Sequence, residues 1–176
     1  MPTSTIMHRP ERTPHWRLFI IAFLLSQYAL SCSPATATDL KDFTSDGCSL
    51  FPDGTMKDRA KWCDCCFEHD ISYWQGGTTE ERRKADERLR ACVQDRTGDK
   101  VLAETMYLGV RAGGSPAFPT WYRWAYGWPY GRGYRPLTDE ERRHVRSRLD
   151  SYWIKHPEGY CREKHPPAQL DKRSDK

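Results

Sequence analysis

One short stretch of the chain gathers residue types that support hydrolytic chemistry. His69 is followed directly by Asp70, and Tyr73 lies four residues beyond His69. On a helix, His69 and Tyr73 share one face, while Asp70 lies on a face rotated by about 100°. An imidazole accepts a proton near neutral pH, and a carboxylate is a good ligand for a hard divalent cation. The stretch therefore presents a proton acceptor and a cation ligand on neighbouring faces of one predicted helix.

A second predicted helix brings a carboxylate to the imidazole. If Cys65 on the first helix pairs with Cys92 on the second, the pairing fixes the register of two antiparallel helices. In this register Asp86 falls within about one turn of His69. Tyr73 lies one turn beyond His69 on the same face, so its hydroxyl can hydrogen-bond the same carboxylate. The spacing predicts a His69–Asp86 pair with Tyr73 beside it.

The loop before the first helix can approach Asp70. Cys66 shares the face of Asp70, and we expect it to reach back to Cys48 in that loop. Such a bridge would hold Gly47 and Ser49 beside Asp70. A loop of backbone carbonyls held against one carboxylate suits a hard cation with oxygen ligands, and calcium is the extracellular candidate.

These residues resemble the secreted phospholipase A2 family. The family signature is Cys-Cys-x-x-His-Asp on a helix, with a second Asp six residues before a Cys on the antiparallel partner helix. The matching positions are the run Cys65-Cys66-Phe67-Glu68-His69-Asp70, then Tyr73, Asp86 and Cys92. The resemblance covers about residues 45–93 and implies a calcium-dependent carboxylic ester hydrolase that releases fatty acid from phospholipid at a membrane surface.

The resemblance also implies a role for each matching residue. His69 would be the general base for a water that attacks the sn-2 ester, and Asp86 would fix its tautomer, with Tyr73 holding Asp86 in place. Asp70 would give calcium its one side-chain ligand. The remaining calcium ligands would be main-chain oxygens of Gly47, Ser49 and Phe51.

The chain departs from the family pattern in the calcium loop. The family has Cys-Gly-x-Gly, whereas Cys48 is followed here by the run Ser49-Leu50-Phe51-Pro52. This departure leaves open a second hypothesis, a non-catalytic relative that binds lipid or protein. Ser72 and Ala85 jointly lack the cysteines of another family bridge, and the short Gly76-Gly77 link leaves no room for a β-hairpin. The likeness is therefore to the compact, bacterial-like members.

Four helices and one irregular segment are predicted to position these residues. The helices are expected at about 57–74, 78–93, 100–111 and 138–153. Thr78 with Glu81, and Thr138 with Glu141, form capping boxes that open the second and fourth. The predicted fold is thus a small all-α, disulfide-knit domain on two antiparallel helices, with an extra C-terminal helix.

The segment 115–136 is rich in aromatic residues, Pro and Gly, which predicts an irregular loop. Two interpretations stay open for its rings and its arginines: contact with a lipid interface, or completion of a small core under the helix pair. The aromatic residues concerned are Phe118, Trp121, Tyr122, Trp124, Tyr126, Trp128, Tyr130 and Tyr134.

The N-terminus predicts export. Residues 1–37 combine basic residues, an apolar run at 18–30 and small residues, which is typical of a signal peptide; the run is shorter than the roughly 20 residues of a transmembrane helix. Cleavage is expected after Ala37 or before Cys32, where a lipid could be attached. The mature protein would be secreted or periplasmic, or a lipoprotein; a structural cell-envelope role is a third hypothesis.

Six cysteines remain after Cys32 is set aside, which predicts three disulfides in an oxidising compartment. Elimination leaves Cys63 to pair with Cys161. An alternative is a zinc site, because thiolates and imidazoles are the ligands that zinc prefers. That site would be built from Cys63, Cys65, Cys66 and His69.

Length and charge exclude several classes of protein. A chain of 176 residues with 38% hydrophobic content holds one domain, expected at 38–160 and followed by a polar, mobile tail at 161–176. Its many large aromatic residues argue against disorder, and it has too few apolar runs for a polytopic membrane protein. The net charge of +4 is too small to predict nucleic-acid binding.

Overall fold

The computed structural model describes residues 39–166, and helices are the regular structure found there. The helices are α1 (Cys63–Gln75), α2 (Thr79–Thr97), α3 (Lys100–Gly113), α4 (Asp139–Lys155) and α5 (Tyr160–Lys164). No strand occurs among these residues, so the all-α prediction is confirmed. The predicted signal peptide at 1–37, with Cys32, and tail residues 167–176 lie outside the described residues. Within residues 39–166, no helix has the length and apolar character needed to cross a bilayer.

Both predicted capping boxes are present. The Thr78 hydroxyl accepts from the Glu81 amide, and the Glu81 carboxylate accepts from the Thr78 amide; Thr138 and Glu141 do the same at α4. Helix α2 is about one turn longer than predicted. It ends where Gly98 adopts a left-handed conformation with φ of 71°, which a glycine accommodates without strain.

Helix α1 begins at Cys63, six residues later than predicted. Turn hydrogen bonds of the preceding segment compete with helix formation. The Trp62 amide donates to the Asp53 carbonyl at 3.1 Å, and the Trp62 indole donates to the Pro52 carbonyl at 2.7 Å. These bonds fold residues 52–62 back on themselves, so the helix starts only when the turns end.

Three disulfides knit the elements together, as predicted. Cys65–Cys92 joins α1 to α2, Cys48–Cys66 ties the preceding loop to α1, and Cys63–Cys161 ties α5 to the start of α1. Three such bonds indicate an oxidising, extracytoplasmic environment. They also show that the zinc interpretation was wrong, because Cys63, Cys65 and Cys66 have no free thiolate to offer.

The aromatic segment 115–136 divides between core and surface. Trp124 and Trp128 are buried, and their indoles donate to the Gly77 and Gln75 carbonyls at 3.0 and 2.8 Å. Core completion is therefore confirmed for these two side chains. Four other rings of the segment are exposed, and the lipid-interface interpretation stays a prediction for them: Phe118, Trp121, Tyr130 and Tyr134.

The expected mobile tail from residue 161 is partly helical. Residues Tyr160–Lys164 form α5, and Cys161 within it is buried and disulfide-bonded. The side chains of Lys164 and His165 contact Asp53, which lies in the segment before α1. A disulfide and ion pairs thus hold these residues against the domain, and mobility of the tail beyond them stays a prediction.

Candidate active site

A buried imidazole–carboxylate pair bridges α1 and α2. His69 Nε2 lies 2.8 Å from Asp86 Oδ1, and the two residues are 8% and 0% exposed. The Cys65–Cys92 disulfide lies one turn before His69 on α1 and fixes the antiparallel register. The structure thus brings together the two side chains that the spacing paired.

Tyr73 completes this group from the same face of α1. Its hydroxyl donates to Asp86 Oδ1 at 2.8 Å and accepts from Arg82 Nε at 3.0 Å. Its ring also lies against that of His69, with centroids 4.2 Å apart. Asp86 Oδ1 therefore accepts from both His69 and Tyr73, which limits how the carboxylate can rotate.

Two arginines that the sequence did not single out surround Asp86. Arg111 Nη1 donates to Asp86 Oδ2 at 2.7 Å, and Arg82 Nε lies 3.8 Å from the same oxygen. Arg82 also binds the Val110 and Arg111 carbonyls at 2.9 Å each, so it ties α2 to the end of α3. The four-residue spacing of Arg82 and Asp86 was a usable signal. The sequence carries no such signal for Arg111, because its contact with Asp86 depends on how α3 packs.

The protonation states suit a base. Burial lowers the pKa of His69; Asp86 opposes this shift, and the charges of Arg82 and Arg88 add to it. Burial raises the pKa of Asp86, but hydrogen bonds from His69 and Arg111 outweigh it and the net pKa is lowered. The pair is therefore neutral imidazole beside carboxylate, with the Nε2 hydrogen donated to Asp86 and a lone pair left on Nδ1. Among residues 39–166, no hydrogen bond involves that Nδ1.

The predicted cation ligands border the same cavity as His69. The Asp70 carboxylate is 7% exposed and accepts from the Ser45 hydroxyl at 2.6 Å. Within the described part of the chain, the carbonyl oxygens of Gly47, Ser49 and Phe51 accept no hydrogen bond. These three residues border the same cavity as His69 and Asp70, so their carbonyls and the Asp70 carboxylate are the groups present that would hold a cation there.

The charge around Asp70 also fits a divalent cation. Burial raises the pKa of Asp70 well above its ordinary value; the Ser45 hydrogen bond opposes this, and the nearby Asp46 and Asp53 carboxylates raise it further. A bound cation would favour the charged form of the Asp70 carboxylate, which burial and the neighbouring carboxylates disfavour. Oxygen ligands suit a hard divalent cation better than a soft metal.

The loop keeps a tight conformation without the family glycines. Gly47 has a φ of 76°, and Ser49, where the family has glycine, has a φ of 52°. The Ser49 hydroxyl donates to Asp46 Oδ1 at 2.9 Å, which supports a left-handed conformation that serine rarely adopts. A side chain at position 47 would meet Asp53 Oδ1 at 2.3 Å, so this position requires glycine.

Another group of possible metal ligands lies beside the loop. Ligand atoms of Asp53, Cys63 and His165 lie within 4.8 Å of one another. The Cys63 sulfur is bonded to Cys161, so it supplies no thiolate. This group is therefore a hydrogen-bonded Asp53–His165 pair packed against a disulfide.

An apolar cavity of about 160 Å³ opens beside His69 and Asp70. Helix α3 forms one wall, because Met106, Val110 and Gly113 recur at helical spacing on one face. Leu50 and Leu89 line other sides. His69 and Asp70 thus border a cavity that is suited to an apolar chain.

No protein-family model, curated protein or solved structure matches this chain.

Proposed function

We propose that this protein is a secreted, calcium-dependent phospholipase A2-like hydrolase that cleaves the sn-2 acyl ester of phospholipids. The observation that carries the proposal is the buried His69 Nε2–Asp86 Oδ1 contact of 2.8 Å beside Asp70 and the carbonyl loop, at an apolar cavity. A structural His–Asp pair requires neither a free imidazole nitrogen nor a neighbouring set of oxygen ligands. Their coincidence favours catalysis.

The chain's own residues would carry the proton. His69 Nδ1 takes a proton from the water that attacks the ester carbonyl, and Asp86 stabilises the resulting imidazolium. Tyr73 and Arg111 hold Asp86 in place. His69 then returns the proton to the leaving alcohol. Calcium, held by Asp70 and the main-chain oxygens of Gly47, Ser49 and Phe51, would supply charge that polarises the carbonyl and offsets the developing negative oxygen.

The surroundings of the cavity support a lipid substrate. Its lining is largely apolar, which suits an acyl chain, and Leu50 at its edge is 74% exposed. Trp121, which is 66% exposed, donates its indole hydrogen to Asp46 Oδ2 at 3.1 Å and so stands beside the loop. Exposed apolar and aromatic side chains near the site are suited to a membrane surface.

The decisive measurement is fatty acid release from phosphatidylcholine vesicles, with calcium and then with a chelator. We expect calcium-dependent release, and a loss of at least about a hundredfold in His69→Gln, because a general base contributes that much. His144→Gln is the matched control, since His144 is a half-exposed histidine of α4 whose acidic neighbour is Glu140 at 4.0 Å. Full activity in His69→Gln would refute the mechanism.

The exposed rings of the aromatic segment favour a second candidate, a non-catalytic lipid- or protein-binding module on the same scaffold. Phe118, Trp121 and Tyr130 are 47%, 66% and 61% exposed. Vesicle binding without fatty acid release in the presence of calcium would favour this module over the hydrolase.

A further inference from the structure

The loop that carries the predicted calcium ligands is anchored by Asp53. This carboxylate is 7% exposed, and its Oδ1 accepts from the Cys48 amide at 2.8 Å. Its Oδ2 accepts from His165 Nε2 at 2.8 Å and lies 3.0 Å from Lys164 Nζ. One buried side chain thus joins the middle of the loop to the C-terminal segment.

The same segment reaches the loop at a second point. Lys164 Nζ donates to the Asp46 carbonyl at 3.2 Å, immediately before Gly47. The segment is itself fixed, because Cys161 in α5 is bonded to Cys63 at the start of α1. The disulfide sulfur of Cys63 lies within 4.8 Å of the ligand atoms of Asp53 and His165, so disulfide and ion pair form one cluster.

The loop needs such support. Ser49 holds a left-handed conformation that costs energy for any residue with a side chain, and neighbouring contacts must offset that cost. The carbonyls of Gly47 and Ser49 can serve one cation together only while the loop keeps this shape. Asp53 supports this shape from both sides, because its Oδ1 accepts from the Cys48 amide while its Oδ2 contacts His165 and Lys164.

We propose that residues 160–165, which we term the C-terminal clamp, hold the loop in its cation-binding shape, with Lys164 and His165 as positioning residues that set calcium affinity. The proposal rests on the calcium site of the proposed function. It concerns residues outside the 45–93 region on which the family resemblance is based.

The positive charge of Lys164 lets the direction of a change in calcium affinity distinguish the clamp from simple electrostatics. Removal of a positive charge beside a cation site strengthens calcium binding by electrostatics alone. The clamp predicts the opposite, because loss of Lys164 and His165 releases Asp53 and with it the Cys48 amide. In a variant that stays folded, a weaker affinity therefore reports loss of loop position and not the change in charge.

The experiment is calorimetric titration of calcium chloride into the full mature chain. Relative to wild type, we expect about a tenfold weaker affinity in Lys164→Ala/His165→Ala, as two charge-assisted hydrogen bonds are lost. Arg162→Ala is the matched control. It removes the same charge from the same short helix, but Arg162 is 77% exposed and its ion pair is with Glu158. We expect its affinity to stay within about twofold of wild type.

Equal or tighter binding by the double variant would overturn the clamp. Amide hydrogen exchange distinguishes local release of the loop from general unfolding. The Cys48 amide should exchange faster in the variant, while the amides of α1 and α2 keep their protection. If the double variant does not fold, His165→Asn alone must show the same two changes in smaller degree, and unchanged values would equally overturn the clamp.

The outcomes also separate the clamp from the proposed function. A wild-type protein that binds calcium but releases no fatty acid, with weaker binding in the double variant, supports the clamp and refutes the hydrolase. Release of fatty acid by the wild type, with the calcium affinity unaltered in the double variant, supports the hydrolase and refutes the clamp. A wild-type protein that binds no calcium refutes both.

Discussion

Asp86 is the residue on which the contacts of the site converge. Its Oδ1 accepts from His69 and Tyr73, and its Oδ2 faces Arg111 and Arg82. A fully buried carboxylate is stable only when its charge is compensated and its oxygens are bonded. The two guanidinium groups compensate the charge without displacing the imidazole, so His69 stays neutral and available as a base.

Tyr73→Phe tests this arrangement at the level of one hydroxyl. The change leaves Arg82 Nε and Asp86 Oδ1 each short of a partner in a buried site, so we expect a loss of about 1–3 kcal/mol in the free energy of unfolding. We also expect roughly a tenfold lower turnover number, because Asp86 becomes free to rotate. Urea unfolding and vesicle hydrolysis measure the two effects.

The matched control is Tyr107→Phe. The Tyr107 hydroxyl forms no hydrogen bond within residues 39–166, and the Tyr107 ring packs under Arg90. It should change neither quantity. If Tyr73→Phe behaved like the control, Tyr73 would have no part in holding Asp86.

Much of this residue-level arrangement was predictable, and what was not has a physical cause. The relative positions of His69, Asp86 and Tyr73 follow from helical spacing once Cys65 is paired with Cys92. The contact of His165 with Asp53 joins residues 112 positions apart, and Arg111 reaches Asp86 from a third helix. Such contacts depend on tertiary packing, which spacing within a helix does not encode.

At the scale of elements, α3 determines the shape of the cavity. Its Gly109 lies in the middle of the helix and borders the cavity, and a Cβ added there would have Phe51 as its near neighbour, at 3.9 Å. Glycine within a helix costs stability relative to a residue with a side chain. The glycine therefore keeps space open beside the loop at the expense of helix stability.

Gly109→Leu should separate stability from activity. We expect the variant to gain about 0.5–1 kcal/mol in unfolding free energy, because leucine is the better helix former. We expect hydrolysis of long-chain phospholipid to fall at least about tenfold, since the leucine fills the space of the acyl chain, with a smaller loss for a short-chain substrate. Thr105→Leu, an exposed position of the same helix, controls for added apolar surface.

Chain-length profiles of both variants, with thermal unfolding, provide the measurements. An undiminished rate on long chains in Gly109→Leu would show that the acyl chain lies elsewhere.

The elements show where local signals compete. The capping boxes at Thr78 and Thr138 were readable because each is complete within four residues. The start of α1 was misplaced because the amide of Trp62 bonds the Asp53 carbonyl, and this long turn outcompetes helical bonds. A helix propensity summed along the chain does not include that competition.

At the scale of the whole molecule, three covalent links compensate for a small core. The links close stretches of 18, 27 and 98 residues. In the chain-entropy account, a link stabilises by limiting the unfolded chain, and a longer closed stretch gives a larger effect. Small domains with modest cores commonly depend on such links.

Removal of each link in turn should give a ranked loss of stability. We expect Cys63→Ala/Cys161→Ala to lose most, roughly 4–5 kcal/mol, and Cys48→Ala/Cys66→Ala to lose least, roughly 3 kcal/mol, with Cys65→Ala/Cys92→Ala between them. Urea unfolding of the three double variants gives the ranking. The reverse order would mean that native packing, and not the entropy of the unfolded chain, governs these bonds.

The longest link also sets a time order on maturation. Cys161 is made nearly one hundred residues after Cys63, and the bond between them needs an oxidant that the cytoplasm lacks. If the clamp acts as proposed, a newly made chain has no finished calcium site while still inside the cell. Full lipid-cleaving capacity would then arise only after translocation, which would spare the membranes of the cell that makes it.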